Sequence, residues 1–163
     1  MLSVVIACAA LLASCGGGND STSTAEPKME VINGITVPPE PAPSINNATL
    51  AGVDMNANGV RDDVERIIAA KSTNKNDNQA SQKIAAVYQA MLVSQPPKTR
   101  AAALEIYAKL HCAANGLSAR TYGVGTNDMR DIIINTANRK AIFSAINTTL
   151  DGGFGGEELP ACK

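Results

Sequence analysis

The sequence predicts an all-α fold: a small bundle of about four helices, preceded by an oxygen-rich loop and a flexible N-terminal tether. Three observations lead there. Apolar residues recur at helical spacing in successive stretches from Val60 onward. Those stretches are punctuated by helix stops: Pro96-Pro97, Asn115-Gly116 and the glycine run after Asp151. Strand-like composition is confined to one short segment around Asn33-Gly34. The 163 residues suit one domain, and 45% are hydrophobic, enough for a real core. Aromatics are only 3% with no Trp, so that core must rest on Ile, Leu, Val, Met and Ala.

The chain divides into residues 1–14, 15–44 and 45–163. The first stretch is apolar and uncharged. It is too short to span a bilayer as a helix and reads as the apolar region of a signal peptide, although the usual positive residues before it are missing. Residues 15–44 read as a linker. Its start is low-complexity Gly, Ser and Thr. Asn33-Gly34 between β-formers is a hairpin cue, with a lone strand or an ordered arm as alternatives. Pro38-Pro39-Glu40-Pro41-Ala42-Pro43 is stiff and extended. Fully stretched, this linker reaches about 100 Å; as a coil it spans nearer 30 Å.

The helical domain begins near Ile45. Val60, Val64, Ile67, Ile68 and Lys71 define a short first helix, with Asp62, Asp63 and Glu65 in its first turn, where the helix dipole favours anions. Residues 72–80 are polar and predict a loop. Ile84, Val87, Tyr88, Met91 and Leu92 mark a second helix, capped by Asp77, Asn78 or Ser81. Thr99 caps a third, with Ala103, Tyr107, Leu110 and Ala114 on one side. The short connection makes these two helices neighbours. Thr126 or Asn127 opens the last, whose stripe is Met129, Ile132, Ile133, Thr136, Phe143, Ile146 and Leu150. Asn138-Arg139-Lys140 interrupts it and allows a break into two.

The most specific pattern lies in residues 54–65, Asp-Met-Asn-Ala-Asn-Gly-Val-Arg-Asp-Asp-Val-Glu. Oxygen-bearing side chains stand at the first, third, fifth, ninth and twelfth places: Asp54, Asn56, Asn58, Asp62 and Glu65. Gly59 holds the sixth, and Val60 offers its backbone carbonyl at the seventh. This order resembles an EF-hand loop, which implies bound Ca2+, a hard cation that takes six to eight oxygens. Magnesium demands a tighter octahedron and fits less well. The segment also resembles the loops of thrombospondin type 3 repeats and dockerins, which use a calcium loop without a complete helix-loop-helix. The likeness stops near Ala70. Arg61 departs at the eighth place, where EF-hands carry an apolar residue that pairs with a second loop, and no second loop is visible. Pro41 and Pro43 leave room for one turn before the loop, over residues 47–51. With three carboxylates and no partner loop, affinity should be about 10⁻⁵ to 10⁻³ M. The alternative is an ion-free Asx turn in which Asp62 or Asp63 caps the helix.

Leu12-Ala13-Ser14-Cys15 resembles the lipobox of bacterial lipoproteins, which implies cleavage before Cys15 and acylation of its sulfur. Several acyl chains hold a membrane far more firmly than one. Gly16 after the cysteine mildly favours the outer membrane. The alternative is an ordinary signal peptide that contains Cys15. If Cys8 leaves with the signal and Cys15 takes lipid, Cys112 and Cys162 are left to pair in an oxidising compartment. The alternative is two free thiols.

The formal charge is −1, with 14 basic and 15 acidic residues, so no basic excess exists to neutralise phosphates, which argues against a nucleic-acid partner. The single histidine, His111, is adjacent to Cys112, and neighbouring helix residues point apart. No catalytic residues assemble from the sequence, and the chain does not read as an enzyme. The expectation is a calcium-stabilised lipoprotein of the bacterial cell envelope that is anchored in the membrane through its N-terminal lipid. It acts there as a binding module for an envelope protein or polymer. The alternatives are a periplasmic hydrolase acting on such a polymer, or a structural spacer. An interaction module should expose an apolar groove, and an enzyme a deep pocket with convergent polar groups.

Overall fold

A computed structural model describes residues 28–114 and 126–150, together with Cys162. The stretches read as signal and lipobox, the first part of the expected linker, the expected stop at Asn115-Gly116, the expected loop over Tyr122–Gly125 and the glycine run after Asp151 lie outside the described residues. Among those described, the chain is mostly helical. It has six helices and one two-stranded sheet, in the order β1 (Glu30–Ile32), β2 (Ile35–Val37), α1 (Pro43–Asn46), α2 (Asp62–Lys71), α3 (Lys75–Val93), α4 (Arg100–Ala114), α5 (Thr126–Ile133) and α6 (Ala137–Thr149).

Regular structure appears inside the stretch that the sequence assigns to a linker. β1 and β2 pair antiparallel in the register Ile32 to Ile35, Val31 to Thr36 and Glu30 to Val37. Asn33 and Gly34 turn the hairpin with φ of 49° and 75°, both left-handed, the conformation that a two-residue turn of matching twist requires. The hairpin packs on α2. Asn33 Nδ2 donates to the carbonyls of Ala69 and Ala70, at 3.2 and 2.9 Å, and so satisfies the open end of that helix. Arg66 binds the carbonyl of Pro38 and pairs with Glu30 and Glu40. Val37 is buried beneath this arrangement.

The turn before the loop forms over Pro43–Asn46 and not over residues 47–51. Proline suits the first turn of a helix, where its missing N–H would have had no partner. α3 begins earlier than its apolar stripe suggests. Asn74 is the cap and accepts from the N–H of Asp77 at 3.0 Å, so Asp77, Asn78 and Ser81 lie within the helix. Thr99 caps α4 as expected, its hydroxyl accepting from Ala102 N–H at 3.3 Å. The last apolar stripe is two helices, but the break falls before Asn138. Thr136, which the spacing places on the buried stripe, caps α6 by accepting from Arg139 N–H at 3.2 Å.

The core is aliphatic, as the aromatic-poor composition requires. Val60, Val64 and Ile68 pack with Ile84, Ala85 and Leu92 of α3 and with Met129, Ile133 and Ile134. A second cluster joins Met91, Leu110 and Ile146. α3 lies against α2, α4, α5 and α6 and is the central element. Val60 thus serves two ends: its side chain anchors the loop in the core while its backbone belongs to the loop.

Candidate metal centre

Residues 54–65 leave the segment after α1 and run into the first turn of α2. The neck of the loop is closed by Asp62 N–H donating to the carbonyl of Val53 at 2.8 Å. Inside it, side-chain oxygens turn back on the backbone. Asp54 Oδ2 accepts from Gly59 N–H at 2.8 Å, and its Oδ1 from Asn58 N–H at 3.1 Å. Asn56 Oδ1 accepts from the same Asn58 N–H at 3.3 Å, and Asn58 Oδ1 from Val60 N–H at 2.9 Å. Short Asp and Asn side chains make such nested turns where longer ones would not. The tight path puts Ala57 and Gly59 in left-handed backbone, with φ of 54° and 85°. Glycine adopts that conformation without penalty.

Glu65 closes the site from α2. Its carboxylate is buried and receives Nδ2 of Asn56, at 3.0 and 3.3 Å to its two oxygens, and Nδ2 of Asn58. Asp62 is fully buried. Its Oδ1 accepts from Met55 N–H at 3.0 Å, and its Oδ2 is buried with no hydrogen-bond partner. Burial raises the Asp62 carboxyl above its usual pKa, and the charges of Asp54 and Asp63 push the same way against the Met55 N–H. Burial likewise raises Glu65. The two amide hydrogen bonds oppose that shift, and the charges of Asp62 and Asp54 add to it. The structure thus joins Asn56, Asn58 and Glu65 directly and sets Asp54 and Asp62 close enough to be felt as charges. No group of three or more His, Cys, Asp or Glu side chains gathered for a metal is present among the described residues. Of the five oxygen-bearing side chains of the expected set, two are the amides of Asn56 and Asn58, which stand between Asp54 and the acids of α2 in sequence.

The sequence reading overlooked the support behind the loop. Arg61 is fully buried. Its guanidinium pairs at two points with Asp63, at 2.9 and 3.2 Å. It also donates to Ile133 O at 3.0 Å, Gln89 Oε1 at 3.3 Å and Asn135 Oδ1 at 3.4 Å. Arg139, from the polar stretch that interrupts the last apolar stripe, is buried too. It donates to the carbonyls of Asn46, Thr49 and Leu50, at 2.8, 3.0 and 3.2 Å, and to Oδ1 of Asn47 and Asn135, at 3.1 and 2.7 Å. The physical reason is that backbone carbonyls take up the guanidinium donors and so offset part of the loss of water. Burial lowers the Arg139 pKa, helped by the nearby charge of Arg61 and opposed by Asp63. Arg130 and Lys140 do face solvent. Gly52, with φ of 68°, lies between the two arginines, where a Cβ would meet Arg61 Cδ at 2.2 Å and Asn46 Oδ1 at 2.6 Å. Asn46 Oδ1 in turn accepts from Val53 N–H at 3.0 Å. Arg61 at the unusual eighth place was the one available signal; nothing local marks Arg139.

Away from the loop, Cys112 on α4 is joined to Cys162, with Cα atoms 5.3 Å apart and 50 residues between them in sequence. His111 beside it is exposed. No protein-family model, no curated protein and no solved structure matches this chain.

Proposed function

We propose that this chain is a calcium-stabilised module, held at the bacterial cell envelope by lipid on Cys15, that binds an envelope protein or polymer. The observation that carries the calcium is Oδ2 of Asp62: a buried carboxylate oxygen without a donor, near two further acids that repel it. A buried anionic oxygen left in this way is costly unless a cation or donor satisfies it. Asp54, Asn56, Asn58, the Val60 carbonyl, Asp62 and Glu65 would hold the ion, an all-oxygen set of the kind calcium takes. The amides of Asn56 and Asn58 now turn their NH2 groups to Glu65. A half-turn about the last side-chain bond puts carbonyl oxygens there instead. Bound calcium would neutralise the mutual repulsion of Asp54, Asp62 and Glu65.

The interaction reading is favoured over a hydrolase by the groove between α3 and α4, about 560 Å³ in volume. It is lined chiefly by Val87, Ala90, Met91, Pro97, Ala102 and Ile106. Its polar groups are Ser94, Gln95 and Lys109, which do not compose an acid, a base and a nucleophile. No described helix is long and apolar enough to cross a membrane, so membrane attachment in this reading rests on the lipid.

Calcium should raise the melting temperature over that in chelator. At millimolar calcium and an affinity near 10⁻⁴ M the gain is about 1.4 kcal/mol. Asp54→Ala and Glu65→Ala should each abolish the difference. An identical melting curve across millimolar calcium, in protein stripped of ion beforehand, would remove the metal from the reading.

A further inference from the structure

We infer that Arg61 and Arg139 are positioning residues of the calcium loop and take the place of the second loop that steadies a paired EF-hand; this rests on the calcium reading above. The two arginines hold opposite ends of the ligand set. Arg61 stands between Val60 and Asp62, two of the proposed ligands. Its side chain is fixed at Asp63, Gln89 and Ile133 O, so the backbone that carries the Val60 carbonyl and the Asp62 carboxylate is fixed as well. Arg139 grips the carbonyls of Asn46, Thr49 and Leu50. From there the hold passes through Asn46 Oδ1 to Val53 N–H, the residue before Asp54. Gln89 strengthens the same end by donating to the carbonyls of Leu50 and Ala51, at 3.3 and 3.0 Å.

The arrangement also explains how one loop keeps its shape alone. In a paired EF-hand the eighth place is apolar and backs onto its twin. Here the eighth place sends a cation into the junction between α5 and α6, where Asn135 Oδ1 receives both guanidinium groups. The planar guanidinium can serve several acceptors at once, which an ammonium on a flexible stem cannot. A loop held at both ends loses less freedom when it closes on an ion, and so binds more tightly.

The test is calcium titration by calorimetry on the full chain, beside melting of each variant in chelator. Arg61→Met and Arg139→Met should weaken calcium about tenfold or more, and Arg61→Lys should not restore it. Arg130→Met, on an exposed arginine of α5, should leave affinity unchanged. Should Arg61→Met fail to fold, Asn135→Ala serves in its place. Asn135 is exposed, and its loss removes the acceptor that both arginines share. It should weaken calcium about threefold while the chain still folds, its melt in chelator lowered by the loss of an acceptor for two buried guanidinium groups. Folded variants that bind within twofold of the parent chain would overturn the positioning role while leaving the calcium site standing. A parent chain that takes up no calcium would fail the calcium reading itself.

Discussion

Arg61 and Arg139, 78 positions apart, donate to the same oxygen, Oδ1 of Asn135, at 3.4 and 2.7 Å. Two buried cations on one neutral acceptor repel each other. They persist because Asp63 offsets Arg61 and a ring of backbone carbonyls surrounds Arg139. The part of the molecule around them should therefore be unusually sensitive to small changes.

Gly52 is the sharpest case. Gly52→Ala places a methyl group inside van der Waals contact of Arg61 and Asn46 and forces a left-handed residue to carry a side chain. Urea unfolding should show a loss of about 3 kcal/mol, the sum of overpacking and backbone strain. A loss below about 0.5 kcal/mol would mean that the two arginines move apart freely.

Arg130 on α5 and Arg139 on α6 should behave oppositely. Arg139→Ala strands buried carbonyls and should cost about 3 kcal/mol. Arg130→Ala removes an exposed pair with Asp131 and should stay within about 0.5 kcal/mol. Equal effects in chemical denaturation would contradict the burial of Arg139.

The bridge from Cys112 to Cys162 closes a long loop. Cys162→Ser should lower stability by about 2–4 kcal/mol and leave the helical circular dichroism intact. Intact mass should change on alkylation only after reduction. Two thiols alkylated without reductant, in protein taken from the periplasm, would show that the bridge does not form there.

Cys15 should carry the lipid. Metabolic labelling with a fatty-acid analogue should mark the chain, and Cys15→Ala should abolish the label. Label retained in that variant would remove the lipoprotein assignment.

The helical class and the starts of α2, α4 and α5 were readable because the signals that open those helices are local. Thr99 announces α4 without help from the fold, its hydroxyl accepting from Ala102 N–H. Thr136 was misread because threonine is tolerated on an apolar stripe, and only the structure shows its hydroxyl on Arg139 N–H. The oxygen pattern of residues 54–65 could be seen because its ligands lie close together in sequence. Arg139 could not, since its acceptors lie about 90 positions upstream and are backbone groups that any residue supplies. The Asn33-Gly34 turn was visible as a hairpin cue. Its docking on α2 was not, because the contact is made to the carbonyls of Ala69 and Ala70.

That docking has a mechanical consequence. The first residue of β1 and the last of β2 stand opposite each other at the open end of the hairpin. Tension arriving from the N-terminal side therefore peels the ladder apart one pair at a time, beginning at Glu30 and its hold on Arg66. Unzipping the segment from Glu30 to Val37 pays out about 25 Å of chain. Along the chain, load from that side meets these three pairs and the Arg66 contacts with Glu30, Pro38 and Glu40 before it meets α1 and the residues that Arg139 holds.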